Sequence, residues 1–198
     1  KVHKKTGQDS PLPIYLYIIF FFTYKCIVIF PASPLVKFVR WSVKLMAKRF
    51  IAGESIEKAD KSLANLFSSK RDVTLDQLGE LVVSEKEADH YTSEVIKLVR
   101  GFKLHVSKGE LNSAGINRAH VSIKVSAMCA DFNPFAFEYT YSLVAPRLKR
   151  VLLAAKEEDV FINIDAEHYD YRDMVFKIYK KVLLETEDLK TFKATGIV

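Results

Sequence analysis

Apolar and polar positions change period several times along the chain, and each change marks an expected element. Residues 14–30 form a 17-residue apolar run, IYLYIIFFFTYKCIVIF, with neither helical nor strand periodicity and with Lys25 inside it. Three readings stay open: a marginal membrane span near the lower length limit, a signal peptide, or an aggregation-prone stretch outside the folded domain. Lys1, Lys4 and Lys5 before the run suit a signal peptide, whereas Asp9 and the nearby prolines do not. Ser33-Pro34 then reads as a helix start. Val36, Val39, Val43, Met46 and Phe50 follow on one face and Lys37, Arg40, Lys44 and Lys48 on an adjacent one, which predicts an amphipathic basic helix. Such a helix either packs on its own domain or lies on anionic lipid.

From Gly53 the pattern alternates between helix and strand. Ser55 opens a short helix with Ile56, Ala59, Leu63 and Leu66 on one face, and residues 72–80 shift to strand alternation. Ser84-Glu85-Lys86-Glu87 is a capping box, and Ala88, Tyr91, Val95, Leu98 and Phe102 continue it as a helix. A second strand is expected over His120–Ser126 and a long helix from Asn133-Pro134 to Lys156, with Pro146 inside it. A third strand over Val160–Ala166, a helix over Arg172–Glu187 and a fourth strand over Thr195–Val198 complete the pattern. Alternating strands and helices imply an α/β fold with a parallel sheet, either open and doubly wound or closed as a barrel. A closed eight-unit barrel typically needs about 250 residues. Only about three full units are present.

Charge narrows the functional classes. The net charge is +6, but residues 1–53 hold nine basic residues against Asp9 alone, and the remainder sums to −2. The basic surplus is therefore local, and a nucleic-acid-binding domain is not expected. Cys26 and Cys129 show neither a disulfide framework nor metal-ligand spacing and read as plain thiols. His120 begins one strand and His168 follows another, at opposite ends of a sheet, so they make no metal pair. No glycine-rich phosphate loop and no nucleophile elbow occur.

The strands themselves carry the candidate chemistry. Val73 and Leu75, then Val121, Ile123 and Val125, then Val160, Ile162 and Ile164 suit a face covered by helices. The opposite faces are polar: Thr74 and Asp76, then Ser122, Lys124 and Ser126, then Asn163 and Asp165. Asp76, Lys124 and Asp165 are 48 and 41 residues apart, close to one strand-helix unit each, so a barrel brings them into one interior. A buried lysine between two carboxylates keeps its proton, because opposite charges favour its charged form. Such a trio is either an internal ion-pair network that fixes packing or a site. The site is favoured, since barrel enzymes place their chemistry at strand C-terminal ends. Glu80 and Glu167, just past the first and third strands, sit at the mouth or are solvated loop acids.

The strings Arg49–Ser55 (RFIAGES), Thr74–Glu80 (TLDQLGE), Val121–Ala127 (VSIKVSA), Pro146-Arg147-Leu148 and Asn163–Glu167 (NIDAE) carry a resemblance. In order and spacing they resemble the proline dehydrogenase domain of bacterial proline utilisation A flavoproteins, from about Pro34 to Val198. The resemblance implies a (β/α)8 barrel holding FAD that oxidises L-proline to Δ1-pyrroline-5-carboxylate, with electrons passing to a membrane quinone. By position, Lys124 matches the lysine that holds the substrate carboxylate. Asp165 matches the strand-three aspartate near flavin and substrate, Asp76 the acid beside that lysine, and Glu80 an acid at the entrance. Lys124 and Asp165 are thus the expected catalytic residues, Lys124, Asp76 and Glu80 the substrate-binding set, and Asp165 the cofactor contact. Gln77 and His168 depart from the family pattern at its periphery.

The implied organisation is an atypical apolar segment (1–33), N-terminal helices (34–70) and the first half of the barrel (71–198). In the family the later strands supply most flavin contacts, and a final helix supplies an arginine pair for the carboxylate. The chain is therefore expected to be an N-terminal fragment that lacks the C-terminal half and is inactive alone. A cytoplasmic protein, in peripheral contact with the inner face of the plasma membrane, is the expected setting. The competing readings are a non-enzymatic, membrane-associated remnant using the apolar run and basic helix, and an unrelated barrel enzyme acting on carboxylate-bearing substrates.

Overall fold

The computed structural model describes Phe21, Lys25 and residues 32–47, 51–78 and 82–198. Most of the apolar run, Cys26, Arg49, Phe50 and Glu80 therefore lie outside the described residues. The chain divides into two compact units, Lys1–Ile51 and Ala52–Val198.

In the first unit, α1 (Ala32–Ala47) is the expected basic helix. It begins one residue before Ser33, so Pro34 falls in the first turn, where its missing N–H removes no helical bond. None of the described helices is long and apolar enough to cross a membrane.

The second unit opens with a single 3-10 turn (Glu57–Ala59) that runs into α2 (Asp60–Ser68). Ile56, Ala59 and Leu63 bury the expected face as a small satellite core. Strand β1 (Leu75–Asp76), helix α3 (Glu85–Gly101), strand β2 (His120–Lys124), helix α4 (Phe137–Glu158), strand β3 (Phe161–Asp165), helix α5 (Arg172–Glu185) and strand β4 (Thr195–Ile197) follow. All strand pairings are parallel, and the spatial order is β1-β2-β3-β4. A doubly wound sheet reverses direction at a switch point; with right-handed crossovers, this unreversed order puts every connecting helix on one face, as in a barrel. The helices pack as one sequential layer, α3 on α4 and α4 on α5. Between that layer and the sheet lies the main core, with Val121, Ile123, Ile162 and Ile164 fully buried against Val95, Leu148, Leu152 and Ile178.

The capping box at Ser84 forms: the Ser84 hydroxyl accepts the Glu87 N–H at 3.3 Å. Glu87 reaches one residue further back than the simple box requires, accepting the Val83 N–H at 2.9 Å. Strand β1 is two residues long where alternation ran over 72–80, and two other boundaries differ from the sequence expectation. Helix α4 begins at Phe137, not Asn133, because the Asn133 side chain accepts the Phe135 N–H at 3.0 Å and its main-chain carbonyl accepts the Ala136 N–H at 3.1 Å. Those bonds make a turn that competes with helix. Strand β2 stops at Lys124, and Val125–Met128 is a 3-10 turn where strand was expected to reach Ser126.

Candidate active site

The alternation of β2 and β3 puts the polar positions together. Register pairs Asp76 with Ser122, Ser122 with Asn163, and Lys124 with Asp165, so the three strands present one continuous polar row. Its centre is Lys124, 2% exposed at the C-terminal end of β2. The Lys124 ammonium donates to Asp76 Oδ2 at 2.6 Å and stands 3.4 Å from Glu167 Oε1. Burial alone would lower the lysine pKa, but the hydrogen bond to Asp76 and the charges of Asp76 and Glu167 outweigh it and hold it above the ordinary value. The ammonium is therefore permanent under physiological conditions.

Asp165 is held differently. Its Oδ1 accepts the Ser122 hydroxyl at 2.7 Å and the Asn163 amide at 2.6 Å, and Asn163 also donates to Ser122 Oγ at 3.1 Å. Two donors on one oxygen fix the carboxylate in a single orientation. The expected trio shares one side of the sheet, but its pairing differs from the expectation: Asp76 takes the lysine, Asp165 takes Ser122 and Asn163, and Glu167, which the sequence left between mouth and solvent, joins the lysine. Glu80 lies outside the described residues.

Four further residues organise this end of the sheet. Tyr91, on the buried face of α3, accepts the Lys124 main-chain N–H at 3.0 Å. Burial, the largest cause, and the charges of Asp76 and Asp165 push its hydroxyl up to about 12, so it stays neutral. The sequence placed Tyr91 on an apolar helix face without a role; the available signal was that a buried tyrosine hydroxyl needs a partner. Arg147 on α4 donates to Glu85, to Asp89 Oδ1 at 2.8 Å and to the Met128 carbonyl at 2.9 Å, and Glu85 accepts the Ala130 N–H at 2.9 Å. This cluster ties α3 and α4 to the turn that follows Lys124.

The histidines are apart, as their positions required: His120 begins β2, where its Nδ1 lies 3.2 Å from Thr74 Oγ1, and His168 follows β3 and packs on Tyr171. Cys129 is a buried free thiol whose pKa is pushed up to about 12, chiefly by burial. It is no nucleophile at neutral pH.

A buried cation flanked by carboxylates at parallel-strand ends suits a small zwitterion: the ammonium takes its carboxylate, and the acids balance its positive nitrogen. The proline dehydrogenase family model matches residues 59–198. The chain is 32% identical over 160 residues to proline dehydrogenase 1 of Bacillus subtilis (strain 168), covering 80% of this chain and 47% of that protein. It is 28% identical over 157 residues to the bifunctional protein PutA of Escherichia coli (strain K12), covering 78% of this chain and 12% of that one. In structure it is similar to proline utilization A from Bdellovibrio bacteriovorus inactivated by N-propargylglycine, with a TM-score of 0.72 and 26% identity over 82% of this chain and 18% of that chain. The chain spans about half the length of the Bacillus relative. With a family match over most of its length and a strand-end lysine site in a barrel-ordered parallel sheet, this chain belongs to the proline dehydrogenase family.

Proposed function

We propose that the protein carrying this chain oxidises L-proline to Δ1-pyrroline-5-carboxylate with FAD as cofactor and a quinone as electron acceptor. The single observation that carries this reading is the buried Lys124 ammonium between Asp76 and Glu167 at the C-terminal end of the sheet. The donor set fits the cofactor along one edge: Ser122, Asn163 and Asp165 form a preordered row of hydroxyl, amide and carboxylate beside the lysine. Bound there, FAD supplies the hydride acceptor. The chain's own residues bind and orient. Lys124 would hold the proline carboxylate, Asp76 and Glu167 keep that lysine charged and aimed, and Asp165 would contact flavin and substrate. Fixing the carboxylate would orient the ring carbon beside nitrogen for hydride transfer.

In this reading the activity needs a chain of the relatives' length, and residues 1–198 alone do not turn over. The test is to purify the protein that carries this chain and record its visible spectrum. A yellow flavin spectrum bleached by L-proline is expected; a colourless, proline-inert protein overturns the reading.

One observation favours a second role beside the first. On α1, Val36, Phe38, Val39, Trp41, Val43, Leu45 and Met46 are all about half or more exposed. Lys37, Arg40 and Lys44 share one narrow sector of the wheel, and the helix holds no acidic residue. A wide apolar arc beside a basic stripe suits the surface of an anionic bilayer and supports peripheral contact with the inner face of the plasma membrane. Trp41 is the only tryptophan of the chain, so its emission reports this helix alone. Vesicles of phosphatidylglycerol are expected to shift Trp41 emission to the blue, and neutral phosphatidylcholine vesicles or high salt to remove most of the shift. An emission maximum unmoved by either lipid sinks this role.

A further inference from the structure

We propose that Tyr91 is a positioning residue for Lys124: its hydroxyl stands in for the missing continuation of β1 and clamps the end of β2 so that the ammonium meets Asp76 and Glu167. The proposal deepens the functional reading above and rests on it only for its kinetic consequence. The Phe161 N–H donates to the Ala119 carbonyl, so the odd-numbered peptide groups of β2 face β3 and the even-numbered ones, Lys124 included, face β1. Among the described residues, pairing with β1 ends at Asp76 opposite Ser122, two residues short of Lys124. A buried main-chain N–H without an acceptor is costly. The Tyr91 hydroxyl, from a side chain only 5% exposed, fills that place at 3.0 Å.

The geometry makes this more than a patch. Lys124 is both the last strand residue and the N-cap of the 3-10 turn, so its Cα position sets where a long, flexible side chain begins. A strand frayed at that residue lets the ammonium swing away from Asp76 and Glu167. Tyrosine suits the task because its neutral hydroxyl accepts the N–H without adding a negative charge beside the lysine.

The test is Tyr91→Phe, which keeps the ring and its packing, in the protein that carries this chain. Hydrogen exchange of the Lys124 amide is expected to quicken roughly tenfold, the worth of one buried hydrogen bond, while the Ile123 amide, which faces β3, is unchanged. The Lys124 ammonium, followed by its side-chain nitrogen resonance, is expected to titrate at lower pH than in the parent. In the protein that turns over proline, KM for L-proline is expected to rise about five- to tenfold with kcat nearly constant, the sign of lost uniform binding. If Phe at position 91 leaves both the Lys124 amide exchange and the ammonium titration as they were, the proposal is overturned. Equal acceleration at Ile123 and Lys124 overturns it too, because that marks general loosening. An inert parent protein whose Tyr91→Phe variant still frees the Lys124 amide counts against the proline reading and leaves the clamp standing.

Discussion

Replacing Lys124 by Met is expected to raise KM for L-proline at least about a hundredfold, because a charge-assisted contact to a buried carboxylate is worth about 2–4 kcal/mol. The same substitution should cost little stability. Removing one member of a fully buried ion pair strands its partner, but Asp76 and Glu167 are each a third or more exposed and rehydrate when the ammonium is gone. A loss of activity without a fall in Tm therefore separates a site lysine from a structural one. If Lys124→Met unfolds the protein, or binds proline as the parent does, the site is wrongly placed.

The alkaline side gives an independent check. The folded-state pKa of Lys124 lies above its unfolded value of about 10.4, so its stabilisation is complete below that pH and is lost as pH rises through the higher folded value. Stability of the parent should hold through the ordinary lysine range and fall above it. That alkaline fall should be smaller in Lys124→Met, measured as Tm against pH.

Arg147→Ala should give the largest loss of stability, about 2–3 kcal/mol, which lowers Tm by roughly 5–10 °C in a domain of this size. The side chain is 11% exposed and holds two helices and the Met128 carbonyl at once. The lower end of the buried-pair range applies because Glu85 and Asp89 are partly solvated. Burial works against the Glu85 carboxylate, yet the Ala130 N–H and Arg147 together hold its pKa below the usual range; Arg147 does the same for Asp89. A depressed folded pKa means stabilisation that is present above the unfolded value and lost as pH falls through the folded one. The parent should lose this contribution only below about pH 4, the ordinary carboxylate range, and Arg147→Ala should already lack it at pH 7. Equal melting temperatures for the two proteins at neutral pH would show the cluster to be decoration. Because the cluster anchors the turn after Lys124, the variant is also expected to weaken proline binding.

Much of this was legible in the residues. Hydrophobic alternation located the three main strands, and the spacing of Asp76, Lys124 and Asp165 put them on one face, since a strand's side chains alternate strictly with position. Glu167 was harder, because it follows β3 in a loop and periodicity says nothing about where a loop folds back. Tyr91 and Arg147 were invisible as site residues for another reason: each acts across elements, on a backbone N–H or carbonyl that has no sequence signature. The helix start at Phe137 was missed because Asn133 spends its hydrogen bonds on a turn, a choice decided by local geometry and not by propensity.

What the amino-acid order determined by itself is the α/β alternation, the apolar face of each strand and the charge type at each polar position, because these follow from periods of 3.6 and 2 and from side-chain chemistry. What only the tertiary structure decided is the unreversed strand order, the pairing of Lys124 with Glu167 as well as Asp76, and the acceptor for the Lys124 N–H. Those depend on which strand lies beside which and where each one stops, and contacts between residues tens of positions apart leave no local trace in the chain.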